Sequence, residues 1–218
     1  MSVLFLSKHK PFSKDAAHLI QLHMEDTEII FGENTDPFPE HLYEKKFDYV
    51  ISYVAPWIIP RKVLENAGIA AINLHPGPPG YPGIGCTNFA IYNGEKTFGI
   101  TVHYMKEKVD SGDIIAVERF PIFENDTVHT LTQRCYIYIY TAFIKLFPFI
   151  LKHQCMPRSG EDWARKPYTR RELNELCIIR PDMPEGEVRR RVRATTYPAM
   201  PGAYIELYGH HFDYNQGK

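Results

Sequence analysis

Four cysteines in 218 residues (Cys86, Cys135, Cys155 and Cys177) are too few and too scattered for a disulfide framework. No C-x-x-C pair occurs, so the ligand spacing of a zinc knuckle is missing as well. Thiols placed this way read as reduced, which suits a cytoplasmic protein. Charge of one sign is also lacking: 25 Lys and Arg stand against 26 Asp and Glu, a net charge of −1. A chain that works on nucleic acid or on an anionic membrane is expected to carry a basic excess. Long hydrophobic runs are absent too. Residues 1–6 are apolar, but Lys8 and Lys10 follow at once and leave no apolar region of the kind a signal peptide needs. The most apolar stretch, residues 136–151, holds Lys145 and Pro148 and falls short of the roughly 20 residues of a bilayer span. It is read as a buried helix of a soluble protein. Neither G-x-x-x-x-G-K-S/T nor G-x-G-x-x-G occurs, which removes the two common phosphate cradles. What remains is ordinary globular chemistry, with 44% hydrophobic and 23% charged residues.

Short apolar runs alternate with helical patterns along the chain. Residues 2–6, 27–31, 47–54 and 69–74 read as strands, the last with the unbroken apolar character of a buried parallel strand. Ser13 is placed to cap a helix whose Ala16, Leu19, Ile20 and His23 share a face. Pro39 and Pro60 each sit where a first helical turn tolerates proline, and Gly68 is expected to close the second of these helices. Residues 97–105 alternate, with Phe98, Ile100, Val102 and Tyr104 on one side, and residues 113–120 form a further strand. A long helix is expected over 127–153, capped by Asp126. This order predicts an α/β, Rossmann-like, mostly parallel sheet with helices on both faces. A break near residues 156–160 suggests a catalytic domain over 1–158. Residues 159–218 then form a small α+β appendage with helices near 170–176 and 185–193, ending in a β-hairpin over 204–207 and 211–214. Ligands in such sheets bind beyond the carboxyl ends of the strands, in the loops after Leu6, Val54, Leu74 and Met105.

The loop after residue 74 carries most of the information. His75-Pro76-Gly77-Pro78-Pro79-Gly80-Tyr81-Pro82-Gly83 is too rich in Pro and Gly for helix or strand, so it is an ordered loop with fixed turns. Asn73 and His75 are two apart at a strand end, and their side chains point the same way. An amide and an imidazole converging there suit carbonyl chemistry, one donating to an oxyanion and the other handling protons. By themselves they fit better a strand cap that ties down the loop. Asp110-Ser111-Gly112 is an ordinary turn, yet the strand before it delivers Asp110 to the same sheet edge. A carboxylate beside an imidazole raises its basicity and fixes its orientation. His75 and Asp110 are both expected at strand ends facing solvent.

Asn73-x-His75-Pro76, the Pro/Gly loop and Asp110-Ser111-Gly112 together resemble the folate-dependent formyltransferases. That superfamily includes the glycinamide ribonucleotide, methionyl-tRNA and nucleotide-sugar enzymes. The stretch from His75 to Ala90, with Gly99-Ile-Thr-Val-His103, resembles the sugar branch. The Ser-Leu-Leu-Pro stretch usual after the histidine in the other two is missing. Tyr197-Pro198 and Gly202-Ala203-Tyr204 are similar to its C-terminal part. The resemblance implies transfer of a formyl group from N10-formyltetrahydrofolate to an amine, with Asn73, His75 and Asp110 as the catalytic trio and no metal. It places the folate against Tyr53, Pro56, Trp57, Ile58, Ile59, Val109 and Asp110, although Trp57 fits a core aromatic under the loop equally well. The substrate implied is a dTDP-linked deoxyamino sugar, with dTDP-4-amino-4,6-dideoxyglucose first and a 3-amino isomer second. Its contacts would be Lys8, Lys10, His75, Tyr81, Asn88 and His103. The sugar branch also implies a homodimer and a place in lipopolysaccharide O-antigen synthesis.

Other readings stay open on the residues alone. The purine enzyme holds phosphate with a Gly-Ser-Asn motif in the first loop, where this chain has Ser7-Lys8-His9-Lys10. A methionyl-tRNA formyltransferase needs a larger, basic C-terminal barrel than residues 159–218 supply. A formyltetrahydrofolate hydrolase would use the same trio with water as nucleophile, normally behind a regulatory domain. Arg189-Arg190-Arg191-Val192-Arg193 suggests nucleic acid, but a helix spreads these arginines over more than one face beside Glu185 and Glu187, which reads as a solvated helix.

Overall fold

A computed structural model describes residues 1–214. Strands β1 (Ser2–Ser7), β2 (Asp26–Phe31), β3 (Phe47–Tyr53), β4 (Ala67–His75), β5 (Thr97–Tyr104) and β6 (Ile114–Pro121) form one sheet in the order β2-β1-β3-β4-β5-β6. The first four run parallel, whereas β5 and β6 are antiparallel additions. Helices α1 (Ser13–His23), α3 (Cys86–Asn93) and α4 (Val128–Leu151) bury their apolar faces against Phe5, Ile51, Ile72, Leu74, Ile100 and Val102. The opposite face carries Leu4, Leu6, Val50 and Ala71, covered by a 3-10 turn (Glu40–Tyr43) and the short helix α2 (Arg61–Glu65). The mostly parallel α/β sheet expected from the strand–helix alternation is the observed fold.

Local signals were less reliable at helix ends. The cap of α4 is Thr127, not Asp126: Thr127 and Thr130 exchange side-chain and backbone hydrogen bonds in a capping box. Asp126 instead holds Arg134 through both oxygens and accepts from the Phe123 amide. Ser13 does not cap α1; Phe12 stands before it with φ 64°, and the buried Ser13 hydroxyl accepts from the Lys10 amide at 3.3 Å. Gly68 lies inside β4, and α2 ends at Asn66. Helix α3 has no side-chain cap, because Gly85 precedes it at φ 68°, and the sequence pattern passed over it. By length and composition α4 is long and apolar enough to cross a bilayer. Its Leu131, Cys135, Ile139, Phe143 and Ile150 are buried in the main core.

The C-terminal part comprises α5 (Arg170–Cys177), β7 (Ile178–Ile179), α6 (Glu185–Thr195), β8 (Tyr204–Leu207) and β9 (His210–Asp213). The expected hairpin β8–β9 is present, and β7 pairs parallel to β8 to make a three-stranded sheet. Packing does not break at residue 158. Leu176 and Ala194 belong to the main core, and Asn88 on α3 donates to the Ala194 carbonyl at 2.8 Å. The arginines of α6 are engaged within the protein: Arg189 with Glu185, Arg190 and Arg191 with Glu187, and Arg193 with the Glu124 and Asp126 carbonyls.

Candidate active site

Strand alternation and register assemble the centre. Asn73 and His75 share a face of β4 with Ala71, opposite the face that buries Ile72 and Leu74. Antiparallel pairing sets His103 of β5 directly across from Asn73, the spacing at which cross-strand side chains touch. The Asn73 amide nitrogen lies 3.1 Å from His103 Nε2 and 3.4 Å from Asp110 Oδ1. Asp110 comes from the turn after β5, with φ 43°, a left-handed conformation that Asp tolerates better than most residues.

One carboxylate organises the rest. Asp110 Oδ2 accepts from the Gly83 amide at 2.7 Å and lies 3.2 Å from His75 Nδ1, while Oδ1 lies 3.1 Å from His103 Nε2. Burial opposes ionisation of this carboxyl, but the charge of His75, the hydrogen bond from His103 and the Gly83 amide outweigh it and hold it down to about 2. Nε2 of His75 faces the Tyr81 carbonyl at 2.8 Å. Both ring nitrogens of His75 therefore face acceptors, and both donate only in the imidazolium form. The Pro/Gly loop is what brings Tyr81 and Gly83 into place. At Gly77 a Cβ would lie 2.7 Å from both His75 Nε2 and the Tyr81 carbonyl, so only glycine lets the loop fold over the ring.

His75 and Asp110 are not solvent-facing as expected: their side chains are 4% and 3% exposed, and His103 is 2% exposed. The reason is a strap, residues 161–169, that crosses the loop. The Trp163 indole packs edge-on against His103 at 5.0 Å and His75 at 5.9 Å. Nothing in the sequence pattern marked Trp163, because the contact joins residues far apart in the chain.

Two cavities bear on the expected ligand contacts, and only the first is walled by the cluster. The first is a slot lined by Ser52, Trp57, Ile58, Ile59, Asn73, His103 and the turn from Met105 to Asp110. It gathers the expected folate contacts Trp57, Ile58, Ile59, Val109 and Asp110. The slot loop leaves β3 through Val54 at φ 52°, a conformation that costs a β-branched residue of order 1–3 kcal/mol. Trp57 is fixed by its N–H donating to the Asp36 carbonyl at 2.9 Å and by edge contact with Phe38. Tyr53 is a correction. Alternation turns it to the core face, where it packs on Phe5 and Phe143 with a buried hydroxyl that lacks a partner among the described residues. Pro56 lines neither cavity.

The second cavity, about 670 Å³, is lined by Lys8, Lys10, Arg170, Asn88, Tyr136, Tyr197 and Tyr204 among others. Burial lowers the Lys8 ammonium below its ordinary range, with Lys10 and Arg170 adding to the effect. Of the expected substrate contacts, Lys8, Lys10 and Asn88 meet here. Tyr81 does not: its hydroxyl donates to Glu95 and accepts from Asn93, and its ring stacks under Tyr168. His103 belongs to the central cluster and the slot rather than to this cavity, and His75 lines neither.

Residues 32–145 match the family described as formyl transferase, and the chain belongs to that family. Within it, the likeness runs to the nucleotide-sugar branch. GDP-perosamine N-formyltransferase of Brucella melitensis is 32% identical over 180 residues, covering 82% of this chain and 64% of that protein. The chain thus spans just under two thirds of the length of that curated relative. Two solved structures share the fold at lower identity. A sugar N-formyltransferase from Shewanella superposes with a TM-score of 0.79 at 20% identity, covering 98% of this chain and 96% of that one. An N-formyltransferase from Helicobacter canadensis, in complex with folinic acid and dTDP-3-aminofucose, superposes with a TM-score of 0.74 at 19% identity, covering 96% and 85%.

Proposed function

We propose that the protein transfers a formyl group from N10-formyltetrahydrofolate to the amino group of a nucleotide-linked deoxyamino sugar. The observation that carries this reading is the position of Asn73, His103 and Asp110 at the wall of an apolar slot, with a cation-bearing cavity also formed at the carboxyl end of the sheet. In the slot, Trp57, Ile58 and Ile59 offer apolar wall to a pterin, and the backbone of 105–110 offers hydrogen bonds to its edge. In the cavity, Lys8, Lys10 and Arg170 suit a pyrophosphate and the tyrosines suit a base.

The substrate amine attacks the formyl carbon, and the carbonyl oxygen becomes an oxyanion. The Asn73 amide donates to that oxyanion, a contribution worth about 3 kcal/mol. The tetrahedral intermediate collapses by breaking the bond from carbon to the folate N10. One proton leaves the attacking nitrogen and one reaches N10, giving a formamide and tetrahydrofolate. The proton relay falls to His75, held by the Asp110 carboxylate, and requires its Nε2 to leave the Tyr81 carbonyl and turn toward the reacting nitrogens.

For the sugar, dTDP-4-amino-4,6-dideoxyglucose is the first choice and the 3-amino isomer the second. The Helicobacter neighbour's complex with dTDP-3-aminofucose supports a thymidine carrier, while the Brucella relative acts on a GDP-linked sugar. The test is product mass after incubation with N10-formyltetrahydrofolate and a panel of amines. The panel holds the dTDP- and GDP-linked 4-amino sugars, the dTDP-linked 3-amino sugar and glycinamide ribonucleotide. A gain of one formyl group on a dTDP-amino sugar is expected. Formylation of glycinamide ribonucleotide alone would overturn the sugar reading.

A further inference from the structure

We propose that Trp163 is a positioning residue for formyl transfer, clamping the His75 and His103 rings in register with Asp110 from outside both ligand cavities. The inference rests on the formyl-transfer reading. Two imidazoles share one carboxylate here; the Tyr81 and Tyr104 carbonyls hold their far nitrogens, and one aromatic side chain packs against both rings. Trp163 bears on both, at interplanar angles of 88° to His103 and 73° to His75, the edge-to-face arrangement that aromatic rings prefer.

The clamp is anchored on the elements that carry the site. The Trp163 indole N–H donates to the Gly112 carbonyl at 2.8 Å, two residues beyond Asp110. Gly112 admits no side chain, since a Cβ there would lie 1.7 Å from the Tyr104 carbonyl oxygen, so its backbone packs directly on the end of β5. On the other side, the strap is bonded to the Pro/Gly loop. The Ala164 amide donates to the Pro79 carbonyl at 3.1 Å, the Tyr168 amide to Pro82 at 2.8 Å, and the Ile84 amide to the Tyr168 carbonyl at 3.2 Å. The strap thus joins the loop that follows His75 to the turn that carries Asp110, and Trp163 fills the space between their two histidines. It lines neither the slot nor the cation-bearing cavity, only a separate cavity with Ser111, Gly112 and Arg158. Its loss should disturb chemistry without removing a ligand contact.

Three variants test this: Trp163→Ala, Trp163→Leu, which retains bulk and protects the fold, and Trp163→Phe, which retains the ring edge but lacks the N–H. Small misplacements of reacting groups cost about 10²-fold, so the Ala and Leu variants should lose about 10²-fold in kcat. KM for folate and for the amine should stay within about threefold. The Phe variant should recover to within about fivefold of wild type, a loss equal to one hydrogen bond. A purely structural role would lower Tm and leave kcat unchanged wherever the variant is folded. A second readout needs no turnover: the downfield proton resonances of hydrogen-bonded imidazole N–H groups should be present in the unliganded protein and in the Phe variant. They should be lost in Trp163→Leu while its melt stays cooperative. Native kcat in Trp163→Leu, or unchanged imidazole resonances, would overturn the clamp. If the wild-type protein formylates no amine in the panel, the functional reading fails and the resonance comparison alone decides the clamp.

Discussion

Replacing Asp110 by Asn probes the centre with the smallest change of shape. In the folded protein this carboxyl is held at about 2, against an ordinary 3.8. At 1.36 kcal/mol per pKa unit, its ionised form contributes about 2 kcal/mol to stability at neutral pH. A folded-state value below the ordinary one means that this contribution is complete above the ordinary carboxylate range. It is then lost as the pH falls from about 4 toward 2. The Asn amide removes the charge and creates a second fault. Oδ1 meets His103 Nε2 and the Asn73 amide, while Oδ2 meets the Gly83 amide and His75 Nδ1. Whichever oxygen becomes NH2, a donor faces donors in a buried site, at a cost of about 1–3 kcal/mol. The total of about 4 kcal/mol should lower Tm by about 10 °C in a chain of this size, and turnover should fall to under about 1%. Melts followed by circular dichroism at pH 7 and again near pH 3 check both parts, because the gap should narrow at the lower pH. A variant melting within about 2 °C of wild type at pH 7, or a gap of equal size at both pH values, would refute the reasoning.

Asn73→Ala should cut kcat by about 10²–10³-fold, the loss typical of one oxyanion donor, while folate binding measured by fluorescence titration stays within a few-fold. Lys8→Ala combined with Arg170→Ala should raise KM for the sugar nucleotide by at least tenfold and leave KM for the folate unchanged, because both cations line only the larger cavity. Equal effects on both substrates would place the nucleotide elsewhere. A homodimer is expected through the hairpin, where Leu207 and Phe212 are 39% and 53% exposed and β9 is an open strand edge. Light scattering should give about twice 25.3 kDa, and Leu207→Glu with Phe212→Glu should halve that mass. A monomer in the wild type, or an unchanged mass in the variant, would end this expectation.

The strands and their carboxyl-end loops were legible because alternation and Pro/Gly punctuation are local signals. Helix α3 was not. It starts from a left-handed Gly85 without a side-chain cap, so the usual start signal is absent. The two-residue β7 is too short to show any period. Tyr53 could have been placed by strand alternation, which puts it with Tyr49 and Ile51 on the core face and leaves Ser52 toward the slot. Proximity to the loop in sequence was the weaker guide.

From residue order alone came the α/β sheet and the loop after β4 as the place to search, each encoded by immediate neighbours through strand period or proline and glycine geometry. The resemblance to the formyltransferases, not any local pattern, made Asn73, His75 and Asp110 the residues to watch. Three features needed the folded chain. Register between antiparallel strands put His103 opposite Asn73 and made it part of the centre. Burial by the strap turned an expected solvent-facing pair into a closed network around one carboxylate. Trp163 reached the histidines from about 60–90 residues away along the chain. Contacts at that separation depend on how loops close over a completed sheet, and no local pattern of residues carries that information.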